Sequence, residues 1–508
     1  MLPATHSRVQ RAALALLAAA ALAACGGGND NDGTELPRAQ DNRTTFAVVP
    51  FSNTTAYPDF EASASGAASF RALTGTTSTG GALPATSRWT GTLNGAGYRM
   101  EVPANWNGRL VMYAHGYAGT GDNLTVTTPS ALRRYLIENG YAWAASTYSK
   151  NYYDVRAGIE DTNALANAFV RIAADNGRTL AAPSKIYITG HSMGGHVAAA
   201  AVEAEALATA RNKVAYAGAV PMCGVTGDTA LFDTFTAMQI AAQTVAGVPA
   251  VPLTRWPEIA TQVNTALWTV APAAATATSP ITPTPVLGER YVGILKNLTG
   301  GERPLFRLGL QRGGSFPSAY GTFGSDGTIN GILDKDGTDT TAITYTIDGD
   351  TAASAAINAA AQKVTADPDA NRLRRDGLRW IPKVNGQITV PVVAIHTLGD
   401  LFVPFHMIQA YRNRANAAGT GNLLVTRAIR GISHCDFTVA EQVEAFDAMI
   451  RWEGGGARPA GDDVTTASVV AQPTYGCTFT RAAVSGTDSA TTTALRGLIA
   501  ASGGSCAP

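Results

Sequence analysis

Net charge is what this 508-residue chain lacks: Lys+Arg and Asp+Glu both number 38, and charged residues make up only 15%. Without a basic field there is no electrostatic draw to nucleic acid, and without an acidic excess nothing points to a cationic partner. Small molecules or neutral polymers are the expected partners. The apolar run at residues 12–24 is too short to cross a bilayer as a finished helix. The acidic stretch Asp334-Lys335-Asp336-Gly337-Thr338-Asp339 is no calcium loop either. Its glycine follows the second aspartate directly, which misses the EF-hand spacing, so it reads as a solvated hairpin turn. No metal and no cofactor is expected. Apolar residues, by contrast, reach 45%, enough to bury a large core, to fill more than one domain and to exclude a disordered chain.

At the N-terminus Arg8 and Arg11 precede the apolar run, which ends in Leu22-Ala23-Ala24-Cys25. This resembles the lipobox of a bacterial lipoprotein signal. The resemblance implies cleavage that leaves Cys25 as the lipid-carrying first residue, with residues 26–33 as a flexible tether to the membrane. Gly26 after the cysteine implies sorting to the outer membrane, with the remainder in the periplasm or at the cell surface. An ordinary secretory signal with an incidental cysteine would export the chain as well. Loss of residues 1–24 removes two arginines and no acids, so the basic count becomes 38 − 2 = 36 against 38 and the balance stays near neutral. Of five cysteines, the lipid takes one. Cys223, Cys435, Cys477 and Cys506 remain, an even number in an oxidising compartment, and disulfides are expected.

The chain is organised around Lys185-Ile-Tyr-Ile-Thr-Gly-His-Ser-Met-Gly-Gly195. Residues 186–189 read as a buried strand, Gly190-His191-Ser192-Met193-Gly194 as a tight turn of the form Gly-x-Ser-x-Gly, and residues 196–210 as a helix. That order is what a nucleophile elbow requires, because only glycine tolerates the close approach of strand and helix. Ser192 is the candidate nucleophile. Upstream, an opening hairpin turns at residues 94–97, and the strand 109–115 runs into His115-Gly116-Tyr117. Further strands at 141–147 and 214–220 alternate with helices at 129–139 and 159–172, which argues for a parallel sheet with helices on both faces.

The alternation stops at residues 228–382, where helical pieces (231–245, 259–270, 352–364) flank a Pro/Thr/Ala-rich link. It resumes with a strand at 388–397 that ends in Leu398-Gly399-Asp400, followed by Val403-Pro404. A last strand, 423–429, leads to Gly431-Ile432-Ser433-His434. Thr438 with Glu441 then forms a capping-box pattern that opens a helix.

Elbow, His-Gly-Tyr loop, Gly-Asp loop and terminal histidine together resemble an exported serine α/β-hydrolase of the esterase and lipase type. The resemblance covers about residues 89–452. It implies the α/β-hydrolase fold, a mostly parallel central sheet flanked by helices, with a large, mainly helical cap inserted before the acid-bearing strand. The order Ser192, Asp400, His434 is that of the fold, each at the C-terminal end of a strand. His434 would be the general base, Asp400 the group that orients it, and the backbone N–H groups of Tyr117 and Met193 the oxyanion hole. His406 is the rival base, and Asp436 and Asp228 are the rival acids. The expected division is a signal at 1–24, tether and irregular arm at 25–85, core at 86–227 and 383–455, cap at 228–382 and a tail at 456–508.

Tannase and feruloyl esterase relatives also carry a cysteine beside the histidine, but they pair it with a cysteine immediately before the nucleophile. That place holds His191 here, so that family is not assigned. In the implied sheet Cys223 and Cys435 leave from the same edge, which favours Cys223–Cys435 with Cys477–Cys506; Cys435 to Cys477 is the alternative. The expected activity is hydrolysis of a small-molecule or neutral polymeric ester through an acyl-enzyme. The alternatives are a peptidase or amidase with the same triad, or a silent binding lipoprotein on a hydrolase scaffold.

Overall fold

Short, mostly apolar and buried strands build the centre of the molecule. The computed structural model describes residues 46–506, apart from 53, 63–67, 323–336 and 375–376. The signal, Cys25 and the tether, and residues 334–336 of the acidic turn lie outside the described residues.

Eight strands form one sheet: β1 (Thr86–Leu93), β2 (Ala96–Pro103), β3 (Arg109–Ala114), β4 (Ala142–Ser146), β5 (Lys185–His191), β6 (Gly218–Met222), β7 (Val392–Thr397) and β8 (Leu424–Ile429). Their spatial order is β8-β7-β6-β5-β3-β4-β2-β1. β2 is antiparallel to both β1 and β4, and every other pairing is parallel. The β1–β2 turn has Asn94 at φ 51° and Gly95 at φ 84°, the two left-handed residues that a two-residue hairpin loop needs to match the twist of its strands.

Strand periodicity of two distributes the core over both faces. On β3, Leu110, Met112 and Ala114 pack on one side with Phe169, Ile172 and Val197. Val111 and Tyr113 pack on the other with Leu136, Phe446 and Met449. The first face is covered by α2 (Val155–Asp175) and α3 (Met193–Ala200), the second by α1 (Ser130–Glu138) and a helix near the end of the core, Val439–Glu453. Both faces being dry explains why the parallel strands read as almost unbroken apolar runs.

Between β6 and β7 lies the insertion, with α4 (Ala230–Val245), α5 (Trp256–Leu267), α6 (Leu287–Leu298), α7 (Phe306–Arg312) and α8 (Thr351–Ala360). After β7 come α9 (His406–Ala417), α10 (Val439–Glu453) and, in the tail, α11 (Ala490–Ala501). Strand order, the antiparallel second strand and the helical insertion before the seventh strand make this an α/β-hydrolase fold, as the sequence led us to expect.

Several local expectations are corrected. The helix expected over 196–210 breaks after Ala200 and resumes at Ala204–Thr209. At the break Glu203 turns into the core and its carboxylate accepts the N–H groups of Gly386 and Gln387, both at 2.8 Å. The helix expected over 259–270 stops at Leu267, and Trp268–Val270 pairs instead with Thr282–Pro283 as a short antiparallel ribbon. In the N-terminal arm Ala47–Val48 pairs with Asn123–Leu124, and Asp59 binds the buried Arg99 at 2.6 Å. The tail is fastened by arginine as well as sulfur. Arg430 donates to the carbonyls of Pro473, Tyr475 and Gly504, and Arg496 donates to those of Arg430 and Asp436.

Candidate active site

The elbow forms where β5 turns into α3. Ser192 sits at φ 59°, ψ −122°, and its N–H donates to Met222 O at 3.1 Å. The turn is possible because its glycines have no Cβ. One on Gly190 would lie 2.3 Å from Gly194 O, and one on Gly194 would lie 2.0 Å from Ala114 O. Contacts this short exclude any other residue.

Two loops bring partners to the serine. His434 Nδ1–H donates to Asp400 Oδ2 at 2.6 Å, and the Ser192 hydroxyl donates to His434 Nε2 at 2.8 Å. The carboxylate thereby selects the tautomer whose free lone pair faces Ser192. Asp400 is fully buried, and its Oδ1 accepts from the N–H groups of Phe402 (2.9 Å) and Val403 (3.0 Å). The Phe402 ring meets the His434 ring edge-on, centroids 5.3 Å apart. Thr397 Oγ1 donates to Ser433 O at 2.9 Å and ties the histidine loop to β7.

The rivals stand elsewhere. His406 bonds Thr234 Oγ1, and burial pushes it down to about 3. Asp228 pairs with Arg414 at 2.7 Å, and Asp436 accepts the N–H of Ile432. His191, before the serine, bonds Gln442 Oε1 at 2.7 Å, and burial pushes it down to about 4, so it is neutral at pH 7. None of these is bonded to His434.

Cys223 follows β6 and Cys435 follows His434, and the structure joins them, with Cα atoms 5.3 Å apart; Cys477 is joined to Cys506. Cys435 Sγ lies 3.5 Å from His434 Nε2. Cys223, His434 and Cys435 are close enough together to suggest a metal cluster. With both sulfurs oxidised to a disulfide, thiolate ligation does not arise there.

Gly116 packs on the nucleophile: a Cβ there would be 3.4 Å from Ser192 Cβ. Tyr117 shares with Ser192 the wall of a small cavity. Met193 is the first residue of α3, where first-turn N–H groups lack intrahelical acceptors. The cavity holds about 30 Å³, room for about one water. Tyr117, Tyr153, Phe232, Phe235 and Phe402 form its aromatic wall, and among the described residues no charged side chain lines it.

Reading along the chain missed two residues that set this geometry. His396 Nε2–H donates to Val403 O at 2.7 Å, and the Ser315 hydroxyl of the insertion accepts the N–H of Leu401 at 3.1 Å. His396 looked like an ordinary strand residue, and Ser315 carries no motif at all.

On this α/β-hydrolase sheet a serine, a histidine and a carboxylate thus stand in one hydrogen-bonded line. No family model matches the chain. It is 31% identical over 68 residues to an o-phthalyl amidase of Xanthobacter agilis, a match that spans 13% of this chain and 15% of that protein. Among solved structures it is similar to feruloyl esterase B from Aspergillus oryzae (TM-score 0.41, 16% identity, 75% of this chain and 82% of that one). It is also similar to an esterase from Aspergillus oryzae (0.40, 13%, 74% and 81%) and to an acylaminoacyl peptidase of Pyrococcus horikoshii (0.35, 9%, 75% and 43%). The structural neighbours are thus esterases and peptidases of low sequence identity.

Proposed function

We propose that the protein is a serine hydrolase that cleaves uncharged carboxylic esters, small or polymeric, through an acyl-enzyme. The observation that carries this reading is the His434 ring, held by Asp400 at 2.6 Å on one side and by Ser192 at 2.8 Å on the other. Ser192 Oγ attacks the ester carbonyl carbon while its proton passes to His434 Nε2. The oxygen that gains charge is met by the N–H groups of Met193 and Tyr117. Collapse breaks the carbon–oxygen bond to the alcohol, which leaves with the proton from His434. Water then repeats the sequence on the acyl-enzyme, releasing the acid and restoring Ser192. Asp400 remains a carboxylate throughout and stabilises the imidazolium.

The uncharged lining supports a neutral substrate. The oxidised cysteines fit an exported protein, and we place the chain in the bacterial envelope, anchored by lipid on Cys25. Among the described residues no helix is long and apolar enough to cross a membrane. Cys25→Ser is expected to move the protein from the membrane fraction to the soluble fraction; unchanged membrane association refutes the anchor.

Amide cleavage is the second reading, favoured by the amidase named above, and it would use the same residues. The deciding experiment is a panel of p-nitrophenyl esters of rising acyl length beside aminoacyl p-nitroanilides. Ester turnover that disappears in Ser192→Ala supports the proposal, and anilide turnover alone supports the second reading. Turnover of neither, with no labelling by a fluorophosphonate, leaves a binding protein on a hydrolase scaffold.

A further inference from the structure

The acid loop, residues 398–406, is gripped by one segment of the insertion. His406 N–H donates to Thr299 O at 3.2 Å, Leu401 N–H to the Ser315 hydroxyl at 3.1 Å, and Arg303 Nε–H to Leu398 O at 2.7 Å. Gly309 of α7 lies so close that a Cβ on it would be 2.2 Å from Gly399 O. Residues 299–315 therefore brace the loop that carries Asp400 along its whole length.

Within the brace Arg303 is out of place as a mere spacer. It is 3% exposed, and its guanidinium donates to Leu398 O, Gly301 O (2.9 Å) and Thr299 Oγ1 (3.1 Å), all uncharged acceptors. The neighbouring Glu302 is 63% exposed and pairs with Lys296. A buried cation is costly unless an opposite charge compensates it. Asp400 supplies that charge: it is the largest influence opposing the pull of burial on the Arg303 guanidinium. The carboxylate in turn is surrounded by two backbone N–H groups and one imidazole.

We propose that Arg303 is a positioning residue for the triad, holding the acid loop through Leu398 O and setting a fixed positive charge against the buried Asp400–His434 pair. The inference rests on the hydrolase reading given above. The other titratable groups facing the pair are His396 from β7, His191 from β5, His406 at the start of α9 and Asp436 beyond the histidine. Burial lowers all three histidines, so they are neutral near pH 7. The strongest favourable charge on Asp436 is Arg496. Burial pulls the Arg303 guanidinium down to about 9, which still leaves it charged near pH 7 as a constant bias against a second cation at His434.

The consequence is a defined shift in the pH profile. The acidic limb of kcat/KM reports protonation of the base in the free enzyme. With the Arg303 charge removed, the imidazolium faces an uncompensated carboxylate, and the limb moves to higher pH. Arg303→Gln removes the charge, while Ser315→Ala loosens the same brace without touching charge. The readout is the pH midpoint of fluorophosphonate labelling, which counts only folded, active molecules and so survives partial unfolding of a variant.

The expected result is a raised midpoint in Arg303→Gln and a midpoint at the wild-type position in Ser315→Ala, whatever their losses in melting temperature. An unmoved midpoint in Arg303→Gln, or an equal shift in Ser315→Ala, overturns the proposal and reduces Arg303 to packing. Should too little Arg303→Gln label, Arg303→Met is measured in the same way under the same criterion. Wild-type labelling that is abolished in Ser192→Ala establishes the underlying reading independently. Its absence overturns that reading and this one together.

Discussion

Cutting the Cys223–Cys435 bridge is expected to damage stability and activity by different routes, and the two can be measured apart. The bridge spans 212 residues and Cys477–Cys506 spans 29. Loop-closure entropy assigns about 5.4 kcal/mol to the first loop and about 3.6 kcal/mol to the second, so the longer one contributes about 1.8 kcal/mol more by constraining the unfolded chain. Both ends of the long bridge are also held in the left-handed region, Cys223 at φ 44° and Cys435 at φ 55°. Such a backbone costs non-glycine residues on the order of 1 kcal/mol each and persists only when its surroundings enforce it. Without the bridge, the residue after His434 relaxes and the imidazole loses its registration with Ser192. A misplacement of about 1 Å at such a site costs on the order of 100-fold in rate.

The test compares Cys223→Ser/Cys435→Ser with Cys477→Ser/Cys506→Ser, pairs chosen so that no lone thiol remains. Urea unfolding and ester kcat/KM are recorded for both. The first pair is expected to lose more stability and 10- to 100-fold in kcat/KM under conditions where it is still folded; the second is expected to lose stability with activity near wild type. Equal activity losses in the two pairs, or full activity in the first, would refute the argument.

Three further outcomes follow from the same geometry. Ser192→Ala and His434→Ala should each remove several orders of magnitude of turnover, and the double variant should be little worse, because the residues act as one unit; strictly additive losses in steady-state assays would count against it. Gly194→Ala should fail to form the elbow, since its new methyl would lie 2.0 Å from Ala114 O; a variant with wild-type melting temperature and activity contradicts this. Burial raises Glu203 from 4.5 to about 7 despite the N–H groups that it accepts. Its folded form holds a proton longer than the unfolded chain does, so the related stability is complete below about pH 4.5 and is lost as pH rises through about 7, on the order of 3 kcal/mol in all. Glu203→Gln should therefore flatten the decline of melting temperature between pH 5 and 8, and an unchanged slope would show that Glu203 is not its source.

How much was legible in the residues alone depended on the range of the forces involved. The turn at Ser192 is local: a β-branched strand, glycines at 190 and 194 and an Ala-rich helix lie within a dozen residues, and steric exclusion acts between neighbours in the chain. The capping box at Thr438 and Glu441 is equally local and forms as read. The alternation of strand and helix was enough to imply the parallel sheet, because dry faces demand apolar runs whatever the distant chain does. Tertiary packing decided the rest. The residues offered Cys435 two partners, and the loops that follow β6 and β8, on either side of β7, meet and select Cys223, 212 positions away. The Ala-rich stretch after the elbow favours helix throughout, yet it breaks where Glu203 finds two N–H donors more than 180 residues downstream. Arg303 and Ser315 carry no pattern, and their importance arises only where the insertion folds down on the acid loop. Such contacts are fixed by complementary packing and by the cost of leaving a buried polar group unpaired, and neither has a period or spacing along the chain.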